Sequence, residues 1–314
     1  MLENFQYLNK KSQVFGPTVW LTSGLHGDEP GGGTVIKKLF EELGKVELLK
    51  GSLHAFPIIN KSGLEKKTRE LPETGEDLNR LFPGRLDGTR GEEIAHTVWQ
   101  KIIGTKPDLV LDLHNDWFNS IPYTLIDDRD NMSPDFHIRL GQIALSAGLV
   151  TVQENTKTLG QTLSGSLTMN GIHALTLELG GAQIIDEKNI KIGVNAISRI
   201  LRQLGLISEE IFPTLDVKDA PTSSVYLYSD EPKPTTAGPI QILVKPGQMV
   251  NEGDLVARIS AQGGPASGGE ELFAQKRAVV LGFTDETVSK PGQEILAFGL
   301  ADESVFGIVL ARYY

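Results

Sequence analysis

A histidine and a glutamate stand three residues apart in a glycine-rich turn near the start of the chain. His26 and Glu29 lie within residues 24–31, GLHGDEPG, directly after an apolar stretch, Val19–Ser23, that predicts a strand. Open α/β sheets bind ligands at such strand ends. An imidazole and a carboxylate at this spacing can both reach one divalent metal ion. Taken alone, the pair is equally compatible with a glycine-rich turn that carries incidental polar residues.

The third ligand of such a site can be sought by elimination. The chain has no cysteine and six histidines, so a metal would be held by histidine, aspartate or glutamate. His114 ends the strand pattern Asp108–His114, where the turn bearing His26 would also open, and it is the predicted third ligand. Asp112 lies on the same strand face as His114. Its carboxylate either orients the imidazole of a ligand or is a solvated acid at the strand end. The other four histidines are not predicted to be ligands. His96 and His137 lie in helix patterns and are predicted surface residues, whereas His54 and His173 lie in strand patterns and are predicted structural residues.

A single carboxylate interrupts another apolar strand pattern, His173–Leu179. Glu178 lies there on one strand face, just before a pair of glycines. Burying a carboxylate costs several kcal/mol unless it is paired or used. A carboxylate in this position could accept a proton from a water molecule bound to the metal, so Glu178 is the candidate general base. A glutamate paired for structural reasons is the alternative.

A long polar stretch, Asn60–Gly91, lies between the first two of these strand patterns, Val19–Ser23 and Asp108–His114. Loops of this length in compact domains are more often functional than idle. The stretch contains Asn79 and Arg80, and a guanidinium group binds a carboxylate through two parallel hydrogen bonds. Surface Asn-Arg pairs are common, so this motif is weak by itself. Arg69 lies upstream in the same stretch.

Length and composition limit the function classes. A chain of 314 residues fits one large domain or a large domain with a smaller one. The net charge of -10 argues against nucleic acid as a partner. No stretch approaches the roughly 20 apolar residues of a membrane span, and the polar start of the chain lacks an apolar signal core. The sequence therefore predicts a cytoplasmic protein without a membrane partner, and it leaves a homo-oligomer open.

Strand and helix patterns alternate as far as about Gly205. This alternation predicts an α/β domain over residues 1–210, with a mainly parallel mixed sheet flanked by helices. Its helices are predicted at Gly33–Gly44, Gly91–Ile103, Ser133–Ala147, Gly160–Asn170 and Glu187–Leu204, and its further strands at Ser52–Ile59, Tyr123–Asp127 and Leu149–Gln153.

Residues 211–314 are predicted to form a linker and a small all-β domain. Prolines cluster in Ile207–Pro239, with one strand at Ser224–Tyr228, and short β segments follow. Val250–Val256 is echoed by Val288–Ile295, a repeat that resembles the barrel-sandwich of biotinyl and lipoyl carrier domains. The only lysine between the two halves is Lys276, and its neighbours match neither carrier motif. We therefore expect the architecture without the modification.

Four motifs occur in the order seen in the succinylglutamate desuccinylase/aspartoacylase family, which belongs to the zinc carboxypeptidase superfamily. They are GLHGDE, DLNRLFPG, DLHN and LELGG, and they lie within residues 20–185. The resemblance implies one zinc ion per chain, held by His26, Glu29 and His114, with Glu178 as general base and acid. It further implies Asn79 and Arg80 as the clamp on the substrate carboxylate, and Arg69 or Lys66 as the group that polarises the scissile carbonyl.

The predicted activity is therefore that of a zinc-dependent amidohydrolase, a deacylase acting on a small anionic N-acyl amino acid or similar amide. In aspartoacylase, an arginine shortly before the catalytic glutamate binds a second carboxylate of the substrate. Here no arginine occurs between Arg139 and Arg199, so that second carboxylate would have no such partner. Two alternatives are a zinc carboxypeptidase acting on peptide C-termini and a non-catalytic metabolite-binding protein. A dinucleotide site is not predicted, because no G-x-G-x-x-G lies between a strand and a helix.

Overall fold

A twelve-stranded sheet forms the centre of the computed structural model, which describes residues 5–127, 133–154, 161–208, 224–260 and 269–301. The strands are β1 (Leu8–Lys11), β2 (Thr18–Ser23), β3 (Ser52–Phe56), β4 (Leu109–His114), β5 (Asn119–Ser120), β6 (Tyr123–Asp127), β7 (Val150–Glu154), β8 (His173–Glu178), β9 (Val225–Ser229), β10 (Gly238–Ile242), β11 (Met249–Val250), β12 (Leu255–Ile259), β13 (Glu270–Phe273), β14 (Ala278–Phe283), β15 (Val288–Ser289) and β16 (Leu296–Leu300). The helices are α1 (Gly31–Leu43), α2 (Lys61–Lys66), α3 (Arg90–Ile103), α4 (Pro134–Ser146), α5 (Leu163–Met169) and α6 (Glu187–Gln203).

The strand order confirms a mixed, mainly parallel sheet in the N-terminal two thirds of the chain. β3, β2, β4 and β8 are parallel neighbours, and β1 closes one edge in the antiparallel sense. On the other side β6 runs antiparallel to β8, while β7 and β9 run parallel to β6. The carboxyl ends of β2, β4 and β8 therefore meet at one edge of the sheet.

Both faces of the parallel strands are buried, as expected where helices cover a sheet on each side. Val19 and Leu21 face a core formed with α1, α4 and α6, whereas Trp20 faces a second core with α3 and α5. Because side chains alternate along a strand, Asp112 and Glu178 point to the α3–α5 side. This side carries the functional groups described below.

Element boundaries differ from the predicted ones by a few residues. The helix predicted at Gly33–Gly44 begins at Gly31, and the strand predicted at Ser52–Ile59 ends at Phe56. Helix α3 begins one residue early because Thr89 and Glu92 form a capping box. The helix predicted at Gly160–Asn170 is α5, and Gly160 lies outside the described residues. The predicted loop 60–91 contains α2 and a 3₁₀ turn, Leu78–Arg80.

The C-terminal third is β structure, as predicted; β9 runs parallel to β7, and the strands that follow it pair in the antiparallel sense. β16, β14 and β11 continue the large sheet beyond β9, and β13, β12, β10 and β15 form a second sheet. Apolar side chains of both sheets pack into one core. The echoed segments place Gly253 and Gly292 at positive φ in equivalent turns, which glycine adopts without strain. Residues 209–223 of the predicted linker, Ile207–Pro239, lie outside the described residues, and the strand predicted in it at Ser224–Tyr228 is β9.

Within the described part of the chain, no helix has the length and the apolar composition needed to cross a membrane.

Candidate active site

Three of the predicted site residues come from neighbouring strand ends. His26 follows β2, His114 ends β4 and Glu178 ends β8. His114 and Glu178 are direct partners in the parallel pairing of β4 with β8. The alternation of buried apolar residues fixes this register, because a slip by one residue would turn each polar side chain into the opposite core.

The side chains of His26, Glu29 and His114 converge and are buried. The Nδ1 atoms of the two imidazoles lie 3.2 Å apart. Glu29 brings Oε1 to 2.6 Å from His26 Nδ1 and Oε2 to 2.8 Å from His114 Nδ1. Ligand atoms at the corners of a zinc tetrahedron are separated by about 3.3 Å. The two imidazole nitrogens lie at about this separation, and the carboxylate oxygens lie closer to them, at hydrogen-bond distance, so that all three side chains could hold one metal ion.

The Nε2 atom of each of the two imidazoles lies at hydrogen-bond distance from a carboxylate. His114 Nε2 lies 3.0 Å from Asp112 Oδ2, and His26 Nε2 lies 3.2 Å from Asp77 Oδ1. The hydroxyl of Thr22 donates to the second oxygen of Asp112 at 2.7 Å. Carboxylates that hold the outer nitrogen of a histidine fix its ring orientation and leave the inner nitrogen for a metal. The expected positioning role of Asp112 fits this geometry.

Electrostatics at the trio favour a cation between the donors. Burial disfavours a charged His114, but Asp112 and Glu29 beside it raise the pKa of this imidazole well above its ordinary value. Burial also acts against ionisation of Glu29, yet the two imidazoles hold its pKa well below the usual range. A divalent cation supplies the positive charge that these carboxylates stabilise. The donor set, its spacing and its charge all fit zinc.

Asn115 connects the turn of His26 to both neighbouring strand ends. Its backbone N–H donates to Glu29 Oε2 at 3.0 Å, and its side-chain oxygen accepts from Gly31 N at 3.0 Å. Its amide nitrogen donates to Gly180 O at 2.6 Å. Gly27 packs so closely on Gly63 of α2 that a Cβ would clash with the backbone. These contacts leave little freedom to the turn that carries the first two donors.

A cavity of about 200 Å³ lies beside the trio, and Glu178 lines it together with His26, Glu29 and His114. The Oε2 atom of Glu178 is buried and has no hydrogen-bond partner among the described residues. Burial raises the pKa of Glu178 well above its usual value; His114 and Arg69 act in the opposite direction, and Asp116 and Glu29 reinforce the rise. A buried carboxyl oxygen in this position, beside three side chains that could hold a metal ion, suits proton exchange with a bound molecule.

The three polar residues predicted from the long loop also line the cavity. Arg69 lies 3.3 Å from Asp77 and 3.5 Å from Glu29, and Lys66 is exposed outside the cavity lining. Asn79 accepts from Leu163 N at 2.9 Å and brings its amide nitrogen to 3.4 Å from His114 Nε2. Arg80 donates to the carbonyl of Asn79 at 2.9 Å.

The remaining described histidines lie away from the trio. His54 stacks on Trp20 with ring centroids 5.1 Å apart and contacts Tyr7 Oη at 2.6 Å. His173 stacks on Phe136 at 4.0 Å. Both contacts agree with the structural role predicted for these two residues.

Sequence reasoning assigned no role to Asp77 or Asn115. Asp77 opens the DLNRLFPG motif, and its side chain caps the 3₁₀ turn at Asn79 N while it faces His26. Asn115 follows His114 directly. The position of each beside a predicted site residue is a signal, but its partner lies on a distant segment that local patterns do not identify.

Comparison with known proteins places this chain in a family. The catalytic-domain profile of the succinylglutamate desuccinylase/aspartoacylase family matches residues 15–204. The chain belongs to this family. A curated relative is the N-alpha-acetyl-L-2,4-diaminobutyric acid deacetylase of Halomonas elongata, which is 28% identical over 251 residues, 78% of this chain and 70% of the relative.

Solved structures of the family share the fold. An aspartoacylase family protein from Mesorhizobium loti is 23% identical with a TM-score of 0.77, covering 94% of this chain and 88% of that one. The product-bound ectoine utilization protein EutE (DoeB) from Ruegeria pomeroyi is 22% identical with a TM-score of 0.76, at the same coverages. Residues 15–204 of the family match contain the cavity residues named so far.

We expect Asp112→Asn to weaken zinc binding by about 10- to 100-fold, because the amide no longer holds the outer nitrogen of His114 as a carboxylate does. Competition with a chromogenic chelator measures this affinity. Thr22→Val is the matched control, since it removes only the hydroxyl that donates to Asp112, and it should have a smaller effect. Equal zinc affinity in Asp112→Asn and the unmodified protein would contradict the positioning role.

Proposed function

We propose that this protein is a zinc-dependent deacylase that hydrolyses the amide bond of a small N-acylated amino acid. One observation carries the proposal: the His26–Glu29–His114 trio shares a cavity with Arg80 and with Glu178, whose Oε2 atom has no hydrogen-bond partner in the described part of the chain. Family membership supports hydrolysis, because the relative from Halomonas elongata is named a deacetylase.

Zinc held by His26, Glu29 and His114 would act as a Lewis acid that polarises the scissile carbonyl. It would also lower the pKa of a bound water molecule to about 7. Glu178 accepts a proton from the attacking water at its carboxylate and delivers it to the nitrogen of the departing amine. Its position at a strand end, opposite His114 in the register, keeps it beside the trio. Arg69 offers a positive charge to the oxygen that gains negative charge.

Arg80 and Asn79 orient the substrate through its carboxylate. A guanidinium group binds a carboxylate with defined direction, so the acyl end of the substrate is turned toward the trio. The backbone carbonyl of Asn79 accepts from Arg80 Nη1 and limits its freedom. Asn79 is itself held by Leu163 N, at the start of α5.

A substrate panel tests the proposal. Zinc-loaded protein is incubated with N-acetyl, N-succinyl and N-formyl amino acids and with unmodified dipeptides, and release of free amine is followed. We expect hydrolysis of at least one N-acyl amino acid and little hydrolysis of the dipeptides. Preferential cleavage of dipeptides would favour a carboxypeptidase, and absence of any hydrolysis would favour a binding protein.

Arg80→Ala is expected to lower kcat/KM for an N-acyl amino acid by about 10- to 100-fold, because a charged hydrogen bond contributes about 1.5–3 kcal/mol. The same assay on the corresponding N-acyl amino acid amide, which lacks the carboxylate, should show a much smaller loss. Arg258→Ala, which removes an exposed arginine paired with Glu271, is the control. Equal losses on both substrates would exclude a carboxylate-binding role for Arg80.

A further inference from the structure

The chain between β4 and β6, residues 115–122, links the cavity to the C-terminal β structure; we call it the β4–β6 connection. It follows β4 directly, and its first two residues, Asn115 and Asp116, line the cavity. Asp116 accepts a hydrogen bond from Tyr123 Oη at 3.1 Å. Tyr123 is opposite Glu178 in the antiparallel pairing of β6 with β8. The connection therefore borders the strand end that carries Glu178.

The turn after Glu178, residues 180–182, lies against this connection. Two backbone N–H groups of the turn donate to the carbonyls of Asp116 and Trp117, at 3.0 and 3.1 Å. The approach is close, because a Cβ on the first residue of the turn would lie 2.6 Å from the carbonyl oxygen of Ser120. A shift of the connection would therefore move the turn and, with it, the end of β8.

The C-terminal β structure holds the connection through β5. This strand pairs with β14 in the antiparallel sense, with Ser120 opposite Gly282. Ile121 N donates to Leu281 O at 2.8 Å. A Cβ at Gly282 would lie 2.5 Å from Ser120 Cβ, so the two strands approach closely because this residue has no side chain. Among the described residues from 224 onward, none lines the cavity, so an influence of this structure on the site passes through contacts such as these.

Asp285, which follows β14, makes a further contact with the connection. Phe118 N donates to its carboxylate, whose two oxygens lie 3.1 and 3.0 Å away. Hydrogen bonds to a charged acceptor are roughly twice as strong as those between neutral groups. The side chains of Asp285 and Phe118 are exposed, so this contact adds little to the hydrophobic core. Its effect is to fix the backbone of the connection.

We propose that Asp285 is a positioning residue for Glu178, through which the C-terminal β structure contributes to hydrolysis. This inference rests on the proposed deacylase function. Asp285 and β14 hold the connection, the connection holds the turn 180–182, and the turn fixes the carboxyl of Glu178 beside the trio. Proton transfer depends on the placement of this carboxyl, and a misplacement of about 1 Å can cost about 100-fold in rate.

Steady-state kinetics of the zinc-loaded full chain test this inference, with the N-acyl amino acid that the unmodified protein hydrolyses best. We expect Asp285→Ala to lower kcat by about tenfold, because the connection loses the acceptor for Phe118 N. KM should stay nearly unchanged, since Asn79 and Arg80 lie on another segment, and zinc content should stay at about one ion per chain. Asp285→Asn keeps an oxygen that accepts from Phe118 N, so it should retain most of kcat.

Asp254→Ala is the matched control. Asp254 is also an exposed aspartate of the C-terminal β structure, and it accepts from Asn251 N at 2.7 Å within its own turn. Its loss removes the same kind of hydrogen bond and should leave kcat unchanged. Gly282→Ala disturbs the connection independently of Asp285, because the new Cβ would press on Ser120, and it should lower kcat in the same way.

Circular dichroism and thermal unfolding establish that each variant is folded. A folded, zinc-loaded Asp285→Ala protein with unchanged kcat would overturn this inference while leaving deacylation intact. Equal losses of kcat in Asp285→Ala and Asp254→Ala would do the same, because they would reflect general damage to the C-terminal β structure. Absence of hydrolysis of every N-acyl amino acid by the unmodified protein would overturn the proposed function and this inference with it.

Discussion

Replacement of Glu178 by glutamine is expected to lower kcat by about 10²- to 10⁴-fold, the usual contribution of a positioned general acid and base. The amide keeps the shape of the side chain but neither accepts a proton from water nor returns one to the amine. Zinc content should stay at about one ion per chain, because Glu178 does not belong to the trio that can hold the metal.

The measurement combines metal analysis of the purified variant with steady-state assays at saturating substrate, which give kcat. Glu252→Gln serves as the control for a glutamate that is exposed and distant from the cavity. A Glu178→Gln protein that contains zinc and keeps more than about a tenth of the original kcat would remove this residue from the proton-transfer role.

His114→Asn is expected to weaken zinc binding by more than about 100-fold, since even a residue that only orients a ligand accounts for 10- to 100-fold. Hydrolysis should fall below detection for the same reason. Asparagine retains an amide that can donate a hydrogen bond to Glu29, so the variant has a better chance of folding than an alanine variant. Thermal unfolding and circular dichroism establish that the protein is folded.

The matched control is His96→Asn, because His96 lies on α3 outside the cavity lining. This variant should bind zinc and hydrolyse substrate as the unmodified protein does. A folded His114→Asn protein with unchanged zinc affinity would contradict the ligand assignment, even if its activity were reduced.

The donor residues could be predicted from sequence because each depends on local order. His26 and Glu29 are close in the chain, and the strand alternation that places Asp112 on the face of His114 is a property of a single strand. The isolated carboxylate of Glu178 in an apolar strand is likewise a local signal. These features require no knowledge of which strands become neighbours.

The proximity of Asp127 and Glu154 in the cavity lining could not be predicted in the same way. Asp127 and Glu154 become neighbours only because β6 and β7 pair in register, and they reach the cavity only because β6 lies antiparallel beside β8. Sheet order is set by packing of the whole domain and leaves no short motif. The contact between Asp77 and His26 spans 51 positions in the chain and was missed for the same reason.

In the C-terminal region, too, local features could be predicted from the sequence, whereas the pairing of distant strands could not. The echo of Val250–Val256 in Val288–Ile295 predicts two similar hairpins, and the structure has the similar turns, with Gly253 and Gly292 at positive φ. The hairpins themselves are not formed, because the strands that flank each turn pair with other strands, β11 with β14 and β15 with β10. No local pattern predicts that β9 and β16 extend the sheet of the N-terminal part, because this depends on the free edge of β7. Within that extension, Glu294 accepts a hydrogen bond from Tyr228 Oη, on the strand β9 that pairs with β7.

The central claim is that hydrolysis of an N-acyl amino acid depends on one zinc ion held by His26, Glu29 and His114. The most direct measurement strips the purified protein with a chelator, titrates zinc back and records amine release at each step. We expect activity to vanish on stripping and to return in proportion to added zinc, with a break at about one equivalent per chain. Full hydrolysis by the metal-free protein, or zinc uptake without any return of hydrolysis, would contradict the claim.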